Sequence, residues 1–285
     1  MKLLARNVLI TGGSQGLGKV IAGHFIKAGA NVALCARDPR LLEETRTELA
    51  LAASPGQRVL AMPCDVSSEE QVAAFVQHAS AALGEIHVLV TNAGVYGPLG
   101  PTESVDFNEW KRAIEINLYG VLLPCRAVFS HFKKACAGKI IMISGGGATN
   151  PLPNISSYAA SKAALVRLVE TLSEEWKSYC IDVNAVAPGA LKTRLMHEVL
   201  DAGPEKVGEA FYAKNVKWME GAAASPDLCA SLCVYLASPR SNGITGRLIS
   251  AQWDRWDALH LHKEQFGDIY TLRRIVPEDR GQKWD

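Results

Sequence analysis

The segment Thr11-Gly12-Gly13-Ser14-Gln15-Gly16-Leu17-Gly18 constrains this chain more than any other. It follows a short apolar run, Asn7–Thr11, and opens an amphipathic stretch, Leu17–Ala28, that ends at Gly29. Glycines at such a junction let the backbone turn tightly and come close to a pyrophosphate. The helix that follows offers free N–H groups and the positive end of its dipole. A glycine triplet alone is weak evidence. One lying between a first strand and a first helix is much stronger.

The rest of the chain keeps the same rhythm. Asn31–Ala36, Arg58–Met62, His87–Thr91, Lys139–Ile143 and Asp182–Val186 read as short apolar strands. Between them lie helical stretches: one begins at Asp38-Pro39, with aspartate as N-cap and proline in the first turn, another covers Ser67–Leu83, and a third about Ser157–Tyr179. Strands alternating with helices imply parallel pairing through right-handed crossovers. Strands that are apolar throughout imply a sheet covered on both faces. This predicts an α/β, doubly wound domain over residues 1–250. Two regions break the rhythm. Pro188–Ala224 shows no strand and many charges, so 190–224 reads as a loop or lid over a substrate. Residues 251–285 form an extension carrying Trp253, Trp256, Tyr270 and Trp284. Docking of Trp253 and Trp256 and a mobile tail are both open readings.

Composition removes several function classes. The net charge of +1 provides no field that would draw nucleic acid or an anionic membrane. No apolar run approaches the ~18 residues of a membrane span. A strand starting at Asn7 leaves no room for a leader, which makes the cytoplasm the expected location. The seven cysteines include no CxxC pair and read as free, mostly buried thiols, and no metal site is expected.

The second strand carries the next signal. Related dinucleotide sites often end this strand in a carboxylate that binds the ribose hydroxyls. Here it ends in Ala36 and Arg37 follows. A guanidinium pairs well with a 2′-phosphate, so NADP(H) is favoured over NAD(H). The alternative is that Arg37 is an exposed loop residue. Tyr158 and Lys162 stand four apart and share a helix face. A nearby ammonium favours the phenolate and should lower the tyrosine pKa, which suits proton exchange at a carbonyl or alcohol oxygen while hydride moves at its carbon.

Together these residues resemble the short-chain dehydrogenase/reductase family, in its single-domain branch, over about residues 5–250. The ordered motifs are TGxxxGxG at Thr11–Gly18, Asp65-Val66, Thr91-Asn92-Ala93-Gly94 in place of NNAG, Asn117, YxxxK at Tyr158–Lys162, and PGxxxT at Pro188–Thr193. The resemblance implies a Rossmann-type sheet of about seven strands and an oxidoreductase acting on a ketone or secondary alcohol. It makes Tyr158 the acid/base and Lys162 and Asn117 proton relays, Asn117 through a water. It places Asp65 and Val66 beside the adenine. Asn92, Ala93 and Gly94 would lie along the cofactor, and Pro188, Gly189 and Thr193 around the nicotinamide. Gly12, Ser14, Gln15, Gly16, Leu17 and Gly18 would hold the pyrophosphate. It also implies a homodimer or homotetramer joined through helices at about 107–133 and 157–178.

One departure bears on the chemistry. The family's substrate-orienting serine position holds Gly145, and Ser144 lies one place earlier. Ser144 is the candidate replacement. A backbone N–H, Ser156, or a catalytically weak site are the alternatives. Gly145 also leaves room for a non-catalytic dinucleotide-binding protein on the same fold. A nucleotide-sugar epimerase or dehydratase is less consistent, because those enzymes typically carry TGxxGxxG.

Overall fold

The computed structural model describes residues 2–282. Seven strands form one parallel sheet: β1 (Asn7–Thr11), β2 (Asn31–Ala36), β3 (Val59–Pro63), β4 (Val88–Thr91), β5 (Gly138–Ile143), β6 (Ile181–Ala187) and β7 (Arg247–Ser250). Their order is β3-β2-β1-β4-β5-β6-β7. The order reverses direction between β1 and β4. A doubly wound sheet opens a crevice at such a point, beyond the carboxyl ends of its strands.

Alternate residues of each strand face opposite layers. Val8, Ile10, Val32 and Leu34 pack on one side with Ile21 and Phe25 of α1 (Gly16–Lys27), next to α2 (Pro39–Ala52). Leu9, Ala33, Leu89 and Ile140 pack on the other with Phe75 of α3 (Glu69–Leu83). The latter layer continues through α4 (Phe107–Ile114), a π-helical turn at Glu115–Tyr119, α5 (Gly120–Ala135) and α6 (Ser156–Glu175). Length and composition alone would let Phe107–Ala135 pass as a membrane span. Its Val121, Cys125, Val128 and Phe132 are instead buried against the sheet. Asp38 caps α2 as expected, accepting from the Leu41 N–H at 3.0 Å.

The region 190–224 is helical, which differs from the loop expected. It folds as α7 (Arg194–Ala202), α8 (Pro204–Val207), α9 (Glu209–Lys217) and a π turn at Trp218–Ala222. Gly203 and Gly208, both at positive φ, divide it into α7, α8 and α9, helices shorter than the window of about 11–18 residues over which a helical period is read. A final helix, α10 (Pro226–Leu236), precedes β7 and lies against α1.

Residues 251–282 hold only short 3-10 turns but are tied to the sheet. Leu259 and Phe266 are buried, and Trp256 packs against Tyr235 with ring centres 5.9 Å apart. The Leu248 N–H of edge strand β7 donates to the Tyr270 carbonyl at 2.8 Å. Arg247 donates to the carbonyls of Gly267 and Ile269, at 2.9 and 2.7 Å. Leu272 N–H donates to Glu170 on α6 at 2.5 Å. The extension therefore covers an edge that would otherwise present unpaired backbone groups. Trp253 is 78% exposed. Trp284 lies outside the described residues.

Candidate active site

The glycine loop spans the gap from β1 to α1 and is locked by close contacts. A Cβ on Gly18 would lie 2.2 Å from the Gly12 carbonyl, and one on Gly12 would lie 2.8 Å from Ala93 Cα. Gly12 and Gly16 adopt φ of +65° and +54°, where a side chain is strained. Asn92 laces the loop to the end of β4, its Nδ2 donating to the carbonyls of Thr11 (3.1 Å) and Gly12 (2.9 Å). The Thr11 hydroxyl oxygen accepts from the N–H groups of Asn92 and Ala93. Asn92 thus acts largely through the loop. The first turn of α1 contains no acidic residue, and its N-cap, Gln15, makes no side-chain cap bond. The N–H groups and dipole of that turn face an anion site uncompensated.

Beside the loop runs a cavity of about 810 Å³. Gly12, Ser14, Gln15, Gly16, Leu17, Arg37, Asp65 and Val66 line one end, with Asn92, Ala93 and Gly94 along it. Ser144, Tyr158, Lys162, Pro188, Gly189 and Thr193 line the other. Gly18 and Asn117 are not on its wall but support it from behind. Arg37 is exposed and makes no ion pair among the described residues. Asp65 accepts from the Ser67 hydroxyl (2.7 Å) and pairs with Arg112 (2.5 Å). Burial works against the Asp65 charge, yet Ser67 and the Arg112 guanidinium hold its carboxyl below the usual range. Arg112 has no motif of its own, and sequence reading did not find it.

At the other end, α6 carries Tyr158 and Lys162 on its buried face. Lys162 Nζ donates to the Ile143 carbonyl at 2.9 Å and lies 5.5 Å from the centre of the Tyr158 ring. Tyr96 packs edge-on against Tyr158, ring centres 4.8 Å apart. Asn117 sits in the π turn between α4 and α5. Its Nδ2 donates to the Val95 carbonyl (2.8 Å) and to Ser161 (3.1 Å), and its Oδ1 accepts from Val95 N–H (2.9 Å). Both side-chain protons are committed, and one lone pair on Oδ1 is left.

The pKa expectation for Tyr158 needs correction. Burial, with Tyr96 adding to it, pushes the phenol well above its ordinary value, and no lowering comes from Lys162. The same burial pushes Lys162 down to about 8. Desolvation disfavours both charged forms, and an ammonium bonded to a carbonyl does not offset it.

Gly145 acquires a physical reason. A Cβ at that position would lie 2.0 Å from the Tyr158 hydroxyl oxygen. The phenol occupies the space that a side chain on residue 145 would need. Ser144 is buried, lines the cavity, and its Oγ has no hydrogen-bond partner. Ser156, the other hydroxyl considered, accepts from the Trp110 indole N–H at 3.0 Å. Of the charged residues in 190–224, Lys192, Arg194 and His197 reach the cavity, and Arg194 is paired with Glu198. Leu152, Met196, Phe211, Trp218 and, from the extension, Trp253 add apolar wall.

The cradle around the loop, the bare helix terminus and the shape of the cavity all fit a dinucleotide. The short chain dehydrogenase family model matches residues 6–203. The chain is 32% identical over 240 residues to levodione reductase of Leifsonia aquatica, covering 83% of this chain and 89% of that one. It is 34% identical to 3beta-hydroxysteroid dehydrogenase 1 of Eggerthella lenta over 245 residues, covering 86% and 91%. A crystal structure of levodione reductase superposes with a TM-score of 0.79 at 28% identity, covering 87% of this chain and 96% of that one. A gluconate 5-dehydrogenase from Burkholderia cenocepacia in complex with NADP and tartrate superposes at 0.77 with 27% identity, covering 87% and 94%. The chain belongs to the short-chain dehydrogenase/reductase family: it is an oxidoreductase with a nicotinamide-dinucleotide fold that acts on CH–OH donors or the matching carbonyls.

Proposed function

We propose that this protein is an NADP(H)-dependent reductase of ketones, or dehydrogenase of secondary alcohols, with Tyr158 as acid/base. The observation that carries this reading is convergence. The glycine loop, Arg37, Tyr158, Lys162 and Ser144 all reach one cavity. The dinucleotide, when bound, supplies or takes the hydride. The loop residues hold its pyrophosphate, Arg37 its 2′-phosphate, Asp65 and Val66 border the adenine, and Pro188, Gly189 and Thr193 wall the nicotinamide end.

In the reductive direction Tyr158 donates its proton to the carbonyl oxygen. Its raised pKa keeps that proton in place at neutral pH. Lys162, charged below about pH 8, stabilises the phenolate left behind. Ser144 Oγ offers the second donor to the same oxygen, the role that residue 145 cannot take while the phenol fills its space. Asn117 braces Ser161, the residue before Lys162 on α6, from behind. The apolar wall of Leu152, Met196, Phe211, Trp218 and Trp253 favours a carbonyl compound with a bulky apolar body.

Two copies pair through the outer faces of α5 and α6. Exposed Phe107 and Tyr119 flank that surface. Because the extension covers β7, sheet-edge pairing is not available to a second interface, which favours a dimer.

NADPH consumption against ketones of increasing apolar bulk, with Tyr158→Phe alongside, tests the assignment. The variant should bind NADPH as wild type by calorimetry and lose turnover by about 10²–10⁴-fold, the usual range for general acid–base catalysis. Wild-type kcat in Tyr158→Phe on a verified substrate would remove Tyr158 from the chemistry.

A further inference from the structure

Six of the seven cysteines stand in three close pairs. Cys35 lies beside Cys64, and Cys233 beside Cys229, and all four are buried. Cys125 is buried alone. Cys136 and Cys180 differ, because both are exposed and their sulfurs lie 3.8 Å apart. Cys136 caps the C-terminus of α5, and Cys180 caps the 3-10 turn that follows α6. Both adopt the left-handed conformation, with φ of 46° and 55°. Glycine or asparagine is the residue that such caps favour. Two adjacent caps accept that backbone strain and bring two thiols into contact.

The topology suits a covalent bond between them. Gly138 and Ile181 are direct partners across β5 and β6, so each cysteine lies within two residues of a paired position. Adjacent strands run about 4.8 Å apart, within the roughly 4.4–6.8 Å Cα span that a disulfide bridges.

We propose that Cys136 and Cys180 form a solvent-facing dithiol site that reacts with low-molecular-weight disulfides and closes to an intramolecular cystine. One thiol loses its proton and attacks a sulfur of the external disulfide RSSR, forming a mixed disulfide and releasing RS⁻, which takes up that proton. The second thiol then loses its proton and attacks the protein sulfur of that mixed disulfide, releasing the other RS⁻, which is likewise protonated. The two cysteines lose two electrons and two protons, and RSSR becomes two RSH. The segment enclosed, 136–180, contains Ser144, Tyr158 and Lys162. Closure therefore ties down the unfolded form of the part of the chain that carries the proposed acid/base.

The test is equilibration of the full-length reduced protein with oxidised glutathione, followed by trypsin digestion and mass spectrometry. The expected product joins peptide 135–139 to peptide 178–192, with Cys35, Cys64, Cys125, Cys229 and Cys233 still alkylatable after unfolding. The Tm should rise by several degrees and return to its starting value with dithiothreitol. Cys136→Ser and Cys180→Ser should each retain one glutathione on the remaining cysteine. Separate glutathione adducts on both cysteines of the wild-type chain, a cross-link between two chains, or two unreacted thiols would each overturn the proposal.

Discussion

Around the glycine loop the cavity wall is largely backbone: Gly12, Gly16 and the N–H groups opening α1, braced by Asn92 and Thr11. At the substrate end it is side chains drawn from distant parts of the chain, with Met196 on α7, Phe211 on α9, Trp218 in the π turn and Trp253 from the extension. A pyrophosphate is recognised by dipoles and close approach, and only glycine permits that approach, so the sequence must show it. An apolar substrate body is recognised by shape. Many side-chain combinations produce a given shape, so no motif marks it. The Tyr158–Ser144 corner lies between these extremes, with a recognisable tyrosine and lysine but an altered serine position.

Substitutions at each end should separate these modes. After the loss of turnover in Tyr158→Phe, the largest effect is expected from Arg37→Ala. A charge-assisted bond to a 2′-phosphate is worth roughly 1.5–3 kcal/mol, which predicts about 10–150-fold weaker NADPH binding with NADH nearly unchanged. Calorimetry of both cofactors measures this, and equal affinity of the unaltered protein for NADPH and NADH would contradict the 2′-phosphate assignment.

Ser144→Ala tests the corner between the two ends. Loss of one hydrogen bond to the substrate oxygen is worth about 0.5–1.5 kcal/mol, a fall in kcat of roughly 2–13-fold. Because Ser144 Oγ has no protein partner, Tm should not fall with it. A lower Tm with unchanged kcat would make Ser144 structural.

Lys162 supplies a pH test. Its folded pKa of about 8 lies below its ordinary 10.5. Between these values the unfolded chain binds more protons, so the Lys162 contribution makes stability rise with pH over that window. Reductive turnover should instead decline as pH passes through about 8, where the ammonium beside Tyr158 is lost. A kcat profile flat from pH 7 to pH 9 would argue against a charged Lys162 in the reaction.

The smallest effect is expected at Trp253. At 78% exposure its removal should leave Tm almost unchanged. Trp253→Ala should raise KM a few-fold for bulky ketones and leave small ones unaffected, which steady-state kinetics on a size series would show. Equal KM changes across the series would mean that the extension does not shape the substrate end.

Much of this molecule is legible one residue at a time. The apolar runs of β1, β2 and β4–β6, the Asp38 cap and the glycine loop each follow from local chemistry: strands buried on both faces must be apolar, and a helix start must satisfy its free N–H groups. The YxxxK spacing likewise places Tyr158 and Lys162 on one helix face. Contacts between remote segments are not legible in this way. The helices α7–α9 are short and pack on one another. Arg112 meets Asp65 across 47 positions, and Tyr270 completes the edge of β7. The phenol of Tyr158 fills the space beside Gly145, and burial sets its pKa and that of Lys162 against the simple ammonium-phenol expectation. The sequence alone determines where the backbone must bend, bury or bind an anion, because those demands restrict residue type. Tertiary structure decides which side chains share a cavity and how desolvated they are, because packing distances and dielectric belong to the folded assembly rather than to any local stretch.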